Sequence, residues 1–106
     1  MTDMILVVTT FAEKEEALDL GSHLLGKRLI GCAQILGPVA SQYLWQGNLE
    51  STKEYRLEMK SSQLLWKELE KEIQKKHSYE TPEIIATAVS AVSGDYRKWL
   101  LEELQQ

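Results

Sequence analysis

The sequence predicts an α+β fold: a ferredoxin-like protomer with the order strand, helix, strand, strand, helix, strand, followed by an extra C-terminal helix. Three observations lead to this order. Short apolar or alternating runs are typical of strands, longer stretches place apolar residues at helical spacing, and a glycine-containing turn joins two runs into a long central hairpin. Because 106 residues are the length of one domain, we expect a single domain over residues 1–106.

The first strand and helix follow from the N-terminal 28 residues. Residues 4–8 form a continuous apolar run, which is typical of a strand buried on both faces. Thr10 and Glu13 have the spacing of a capping box and predict that a helix begins there. The predicted helix has one stripe at helical spacing, made of Ala17, Leu20, Gly21, Leu24 and Arg28.

The central hairpin is predicted from two runs around a compact turn. Residues 32–36 are apolar, Gly37-Pro38 interrupts them, and the run resumes over residues 39–45, so we expect a bulge or bend at a sheet edge. Gln46-Gly47-Asn48 is the turn. The strand that follows alternates, with Tyr55, Leu57 and Met59 on one face and Glu54, Arg56, Glu58 and Lys60 on the other.

Both strands of this hairpin are long for a chain of this size. A hairpin that extends past its own sheet exposes unpaired strand edges, so its length predicts an oligomer. Tyr43, Trp45 and Tyr55 lie on the hairpin. Such aromatic residues stabilise hairpins as cross-strand pairs, and they are also enriched at interfaces. We favour the second interpretation and expect these three residues at a subunit interface.

The remaining elements are predicted from caps and periodicity. Ser61 and Ser62 are candidate N-caps for a second helix. Its apolar stripe is Trp66, Leu69 and Ile73. The polar residues 77–83 then lead into residues 84–89, a β-branched run that predicts the fourth strand. Asp95 is the predicted cap of the final helix.

Charge and composition exclude several classes of protein. Twelve basic and sixteen acidic residues give a net charge of −4 and a pI near 5.2, whereas nucleic-acid binding favours a basic surface. The single cysteine excludes an internal disulfide and fits a reducing compartment. Neither a signal peptide nor an apolar run of about 20 residues is recognisable. We therefore expect a cytoplasmic protein with no nucleic-acid or membrane partner.

Few residues suggest chemistry. Because phosphate-loop, dinucleotide-binding, CxxC and HExxH motifs are absent, we expect no enzymatic activity. Cys32 is the only thiol, and a thiolate is a soft ligand that copper and zinc prefer, although a lone cysteine is more often a small buried apolar residue. His77 is a second candidate metal ligand. Because it follows a helix, its alternative role is that of a charge partner of the helix C-terminus. Glu54, Tyr79 and Glu83 either line a cleft between subunits or are solvated surface.

Four stretches of the sequence form a recognisable pattern: Leu-Ile-Gly-Cys-Ala-Gln-Ile at residues 29–35, Tyr-Leu-Trp-Gln-Gly-Asn-Leu-Glu at 43–50, His-Ser-Tyr-Glu-Thr-Pro-Glu-Ile at 77–84, and Tyr96 with Trp99-Leu100 in the last helix. These stretches resemble the CutA divalent-cation tolerance proteins, and the resemblance runs from Ile5 to Leu104. Glu54 falls where that family has an acidic residue early in the third strand.

The resemblance implies a tight homotrimer, similar to that of PII-type signalling proteins, in which edge strands of neighbouring subunits pair. It also implies tolerance of copper and other divalent cations. Cys32 and His77 match family positions linked to that metal chemistry and are the implied metal ligands, with Glu54, Tyr79 and Glu83 as possible helpers. The sequence departs from the family pattern at Thr9, where some members have a further cysteine, and at Ser78, where proline is usual.

Two functions follow as hypotheses. In the first, the protein is a small cytosolic homotrimer that binds divalent metal, chiefly copper, and contributes to divalent-cation tolerance. In the second, it is a PII-like signalling or scaffold trimer whose inter-subunit clefts bind a small molecule or a partner protein.

Overall fold

A four-stranded antiparallel sheet organises the chain in the computed structural model, which describes residues 2–105. The elements are β1 (Met4–Phe11), α1 (Lys14–Gly26), β2 (Cys32–Trp45), β3 (Asn48–Ser62), a short 3₁₀ helix (Gln63–Leu65), α2 (Trp66–Lys76), β4 (Ile85–Ala88) and α3 (Gly94–Glu103). The strand order in the sheet is β2-β3-β1-β4. This is the ferredoxin-like arrangement with an extra helix, so the predicted α+β fold is confirmed.

The main core lies between the sheet and the first two helices. Val7 of β1 and Leu57 of β3 are fully buried there, against Leu24 of α1 and Ile73 of α2. Successive strand residues point to opposite faces. Met4 therefore lies on the other face, in a smaller cluster with Leu100 and Leu104 near α3. The first strand is buried on both faces, as the apolar run predicted.

The start of α1 differs from the prediction. Thr10 continues β1, where it pairs with Arg56, and the helix begins at Lys14. Glu13 is the N-cap, and its side chain makes no capping hydrogen bond. The capping box at Thr10 and Glu13 is therefore wrong, because the sheet ladder already holds the backbone of Thr10. The stripe itself is confirmed over Ala17, Leu20, Gly21 and Leu24, which are buried.

The predicted bulge in the hairpin is confirmed by a register shift between Leu36 and Val39. Gly37 has a φ of 153°, and a Cβ there would lie 2.8 Å from Tyr55 Cδ1 and 3.0 Å from the Glu54 carbonyl oxygen. Only glycine fits such a close approach. At the far end, Gln46 and Gly47 have φ values of 52° and 81°, typical of a two-residue turn whose twist matches its strands.

Beyond the bulge, the hairpin extends past the sheet. β1 pairs with β3 as far as Phe11 and Tyr55, whereas residues 39–45 and 48–54 have no strand partner but each other among the described residues 2–105. We call residues 39–54 the arm. The Leu44 and Leu49 side chains face each other across the arm and are 73% and 71% exposed. The arm therefore presents apolar surface and free strand edges to solvent.

Two of the predicted helix caps, Ser61 and Asp95, are wrong. β3 continues through Ser62, whose Oγ accepts a hydrogen bond from the Leu64 amide and caps the 3₁₀ helix, while Ser61 Oγ donates to the Leu29 carbonyl at 2.6 Å. Ser61 is therefore not a helix cap. Ser93 rather than Asp95 caps α3, because Asp95 lies inside the first turn of that helix.

The second helix and the fourth strand otherwise follow the prediction. Leu69 and Ile73 are buried, and Trp66 packs against the core beside them. The fourth strand is shorter than predicted, with residues 85–88 instead of 84–89, and it lies at the edge of the sheet. Among residues 2–105, the helices are all too short or too polar to cross a membrane.

Candidate functional site

His77 occupies a defined position just after α2. Its ring stacks on Phe11, with centroids 4.1 Å apart and planes 8° from parallel. Nε2 lies 2.9 Å from the Thr10 carbonyl oxygen, and the Tyr79 amide donates to Nδ1 at 3.0 Å. A carbonyl can only accept and an amide can only donate. Nε2 therefore carries the hydrogen and Nδ1 the lone pair, which makes His77 a neutral imidazole of one tautomer.

Burial supports the same protonation state. Desolvation lowers the pKa of His77, because a charged imidazolium loses its water shell in this position. The bond to Thr10 and the carboxylates of Glu16 and Glu54 act in the opposite direction and only partly offset this effect. His77 is therefore neutral at physiological pH, with both ring nitrogens bonded inside the chain.

Tyr79 connects this loop to the arm. Its hydroxyl donates to Glu54 Oε2 at 2.9 Å. Glu54 is 7% exposed and is the first residue of β3 past the end of β1 on the arm side. Burial and the adjacent Glu54 carboxylate raise the pKa of Tyr79, so the phenol stays a protonated donor. The structure thus brings together three predicted site residues, His77, Tyr79 and Glu54.

Glu83 and the aromatic residues have different surroundings. Glu83 is exposed in the connection before β4. Tyr43 and Trp45 are exposed on the arm, and Tyr55 is half-buried opposite Phe11 at the base of the arm.

Cys32 lies at the start of β2 and is half-buried. Lys60 on β3 places its Nζ 3.7 Å from Cys32 Sγ and 2.9 Å from Gln34 Oε1. Tyr96 of α3 also interacts with the thiol, and burial and the thiol raise the pKa of Tyr96. The Lys60 ammonium repels a cation approaching the sulfur, so the immediate surroundings of Cys32 do not favour metal binding.

The two predicted metal ligands lie apart in one chain. Cys32 pairs with Lys60, which pairs with Leu6, whereas His77 bonds to Thr10 four residues further along β1. Two strand spacings and four residue rises place the backbone of Cys32 about 16 Å from that of Thr10, the residue to which His77 is bonded. Among residues 2–105, no group of three or more His, Cys, Asp or Glu side chains is arranged so that it could hold a metal ion. One chain by itself therefore does not fit a bound metal.

A separate cleft of about 260 Å³ lies beside α1. It is lined by Phe11, Glu16, Asp19, Leu20, His23 and Lys76. Acidic and basic side chains both face it, and it is widely open to solvent. This cleft includes none of the predicted site residues.

Sequence reasoning missed the two residues of β1 that contact the His77 ring, Thr10 and Phe11. The predicted capping box assigns Thr10 to a helix start, whereas Thr10 and Phe11 extend β1 and present a carbonyl and a ring to the loop. The aromatic Phe11 directly after two β-branched threonines was the available signal, because such residues favour strands.

Comparison with known proteins places the chain in one family. The family described as CutA1 divalent ion tolerance protein matches residues 5–103. The divalent-cation tolerance protein CutA of Pyrococcus horikoshii is 41% identical over 103 residues, covering 97% of this chain and 100% of the relative. The protein of the same name from Thermotoga maritima is 41% identical over 101 residues, covering 95% of this chain and 99% of the relative.

Solved structures agree. The crystal structure of CutA from Xylella fastidiosa superposes with a TM-score of 0.94 at 29% identity, covering 98% of this chain and 100% of that chain. CutA1 from Pyrococcus horikoshii superposes with a TM-score of 0.91 at 38% identity, covering 96% and 99%. Since sequence and fold match over nearly the whole length, the chain belongs to the CutA1 family of divalent ion tolerance proteins.

Proposed function

We propose that this protein is a homotrimer that contributes to divalent-cation tolerance, and that it contacts copper or another divalent cation through Cys32. The names of the relatives support the tolerance role. The observation that carries the assembly is the arm, whose strands continue past the sheet with unpaired edges.

The arm and β4 each have a free strand edge. The arm provides a long edge with exposed Leu44 and Leu49, and β4 provides a short one, since all four of its residues are exposed and, within residues 2–105, it pairs with β1 alone. Pairing the arm of one chain with the β4 edge of the next joins two different surfaces. Contacts of this kind close into rings when the rotation permits. A closed ring covers every arm and every β4 edge, and the family resemblance implies that the ring has three copies.

The metal part of the proposal rests on the chemistry of the thiolate. Cys32 is the only thiol in the sequence, and thiolates favour copper and zinc. Further ligands must come from neighbouring copies, because the Cys32 surroundings within one chain hold Lys60 and Tyr96 instead of acidic groups. His77, Tyr79 and Glu54 would have to exchange their present hydrogen bonds for the metal.

Native mass spectrometry with one equivalent of copper per chain tests both parts. We expect a trimer with copper in fixed stoichiometry. Cys32→Ser should keep the trimer and lose the copper, whereas the control His23→Gln should keep both. A wild-type monomer would contradict the assembly, and equal copper retention in Cys32→Ser would contradict the metal contact.

A second candidate function is a PII-like signalling or scaffold trimer with a small molecule or partner protein in its inter-subunit clefts. It is favoured by the internal bonding of His77, Tyr79 and Glu54, which leaves these groups without metal-ligand geometry in one chain. Its test is the fluorescence of Trp45 on the arm, titrated with a metabolite panel in the absence of metal. A response in the trimer that retains no copper would favour this function.

A further inference from the structure

The first residues of the loop after α2 are bonded both to β1 and to the arm. His77 Nε2 donates to the Thr10 carbonyl at the end of β1, and His77 Nδ1 accepts from the Tyr79 amide. Tyr79 then donates its hydroxyl to Glu54 at the base of the arm. We call this series of three bonds the His77–Tyr79–Glu54 bridge. It connects the body of the sheet to the arm by a route outside the hairpin itself.

We propose that His77 is a positioning residue of the assembly: it holds Tyr79 on Glu54, and the resulting bridge fixes the arm in the orientation that a neighbouring subunit requires. This inference rests on the proposed trimer. It assigns to His77 a role other than the metal coordination that the family resemblance implied.

The base of the arm is where an orientation has to be set. The register shift between Leu36 and Val39 interrupts the ladder of β2 and β3, and bulges bend the strand that contains them. Past Phe11, β1 no longer supports β3. A two-stranded ribbon alone is only marginally stable in water. Glu54 pairs with Val39 directly after the bulge, so a bond to Glu54 acts at the bend itself.

A histidine suits this position because one ring provides a donor and an acceptor on different edges. The stacking on Phe11 fixes the plane of the ring, and the two hydrogen bonds fix how the ring is turned within that plane. Each nitrogen is then occupied, and a metal ion could reach His77 only by displacing Thr10 or Tyr79. In the bonded state, His77 therefore supports the arm and is not available as a ligand.

The bridge also compensates a buried charge. Glu54 is nearly inaccessible, and a buried carboxylate is costly without hydrogen bonds. If His77 is truncated, the Tyr79 amide loses its acceptor and the phenol is no longer held against Glu54. Hydration of the Glu54 carboxylate then lowers its free energy, and the side chain reaches water only if the base of the arm moves.

Four variants test the proposal. His77→Ala and Tyr79→Phe break the bridge at different bonds, and His77→Asn restores an acceptor, since an asparagine oxygen can accept from the amide two residues on. His23→Ala is the matched control, because it removes the other histidine of the chain. The readouts are trimer dissociation on dilution and amide hydrogen exchange of the peptide covering residues 48–54.

We expect His77→Ala and Tyr79→Phe to raise the concentration at which the trimer dissociates by about tenfold, because both lose the hydrogen bond from Tyr79 to the Glu54 carboxylate, the first by releasing the loop and the second by removing the hydroxyl. Exchange in the arm should accelerate in both. His77→Asn should stay close to wild type, and His23→Ala should leave both readouts unchanged. Nitrogen chemical shifts of labelled histidine should identify His77 as the Nε2–H tautomer.

Several results would overturn the proposal. If His77→Ala dissociates and exchanges its arm amides as the wild type does, the arm needs no bridge. If His77→Asn dissociates and exchanges as readily as His77→Ala, the effect is due to lost side-chain volume and not to a lost hydrogen bond. If His77→Ala does not fold, Tyr79→Phe, which removes a single oxygen, decides the question. A monomeric wild type would contradict the proposed trimer instead, and arm exchange alone would then decide whether His77 positions the arm.

Discussion

Several polar side chains of this chain are buried, and the local sequence does not indicate which partners they have. Thr9 is one example: it is fully buried on β1, and its Oγ1 has no hydrogen-bond partner among residues 2–105. Glu72 is another, because it is buried on α2 although charged. His23 Nε2 lies 2.7 Å and Lys27 Nζ 3.4 Å from its carboxylate, so a hydrogen bond with His23 and an ion pair with Lys27 join α1 to α2.

Thr9→Val should stabilise the protein. A buried hydroxyl without a partner costs about 1–3 kcal/mol, and valine has nearly the same shape without that group. Urea unfolding should show a higher midpoint with an unchanged slope. The control Thr87→Val changes an exposed threonine on β4 and should have little effect. A destabilised Thr9→Val would mean that the hydroxyl has a partner in solution.

Glu72 should make stability depend on pH in acid. The hydrogen bond from His23 is the main cause that lowers the pKa of Glu72 below its ordinary value of 4.5, against an opposing effect of burial. A carboxyl with a lowered folded-state pKa stabilises fully above its unfolded pKa and loses that contribution as pH falls through the folded value. Thermal unfolding from pH 7 to pH 3 should therefore show a steeper loss in wild type than in Glu72→Gln. Parallel curves would contradict this role.

At the scale of elements, the arm is the part of the fold that its own sheet does not stabilise. Its turn and bulge have a clear local cause in Gly47 and Gly37, and its register places Leu44 opposite Leu49. The β1 strand ends at Phe11, so the outer half of the hairpin is left with apolar side chains in water. Exposed pairs of this kind favour contact with another copy.

Leu44→Lys should weaken the assembly without unfolding the chain. The side chain is 73% exposed in the isolated chain, so the substitution costs little there, whereas a buried lysine at an interface is strongly unfavourable. Sedimentation velocity should show smaller species at the same concentration, with unchanged circular dichroism. Leu64→Lys is the control, since Leu64 is 89% exposed on the 3₁₀ helix and away from the arm. Equal effects of both substitutions would point to general solubility.

At the scale of the whole molecule, the fold has an extended shape, with dimensions of 44 × 26 × 23 Å. The long dimension fits a compact α+β body with the arm projecting from it. A body with one projecting arm and one open β4 edge is suited to pairing with identical copies. The proposed assembly therefore depends on strand edges and apolar contacts, and a bound metal would be additional to them.

Removal of metal should leave the assembly intact. Since three or more metal-binding side chains do not converge within residues 2–105, chelation removes no structural contact of a single chain. Treatment with EDTA should change neither the trimer fraction in a native mass spectrum nor the thermal midpoint. Dissociation by EDTA would show that a metal ion joins the subunits, which would contradict the edge-pairing explanation of the trimer.

The sequence by itself determined the α+β fold class, the order of the elements and the apolar stripes, because apolar periodicity is a local property. It also indicated the bulge at Gly37 and the extended hairpin, which follow from backbone restrictions of single residues. The ends of elements were less accurate. Thr10 belongs to β1 and Ser93 caps α3, because strand pairing and helix docking select among nearby polar residues.

Only the tertiary structure decided what the polar residues do. His77 meets Thr10 across 67 positions, Tyr79 meets Glu54 across 25, and His23 meets Glu72 across 49. No periodicity encodes these pairs, since each depends on where the sheet and the helices bring distant backbone segments together. Cys32 and His77 could be singled out from the sequence, but their separation and the internal bonding of His77 required the fold, because hydrogen bonding depends on distance and direction.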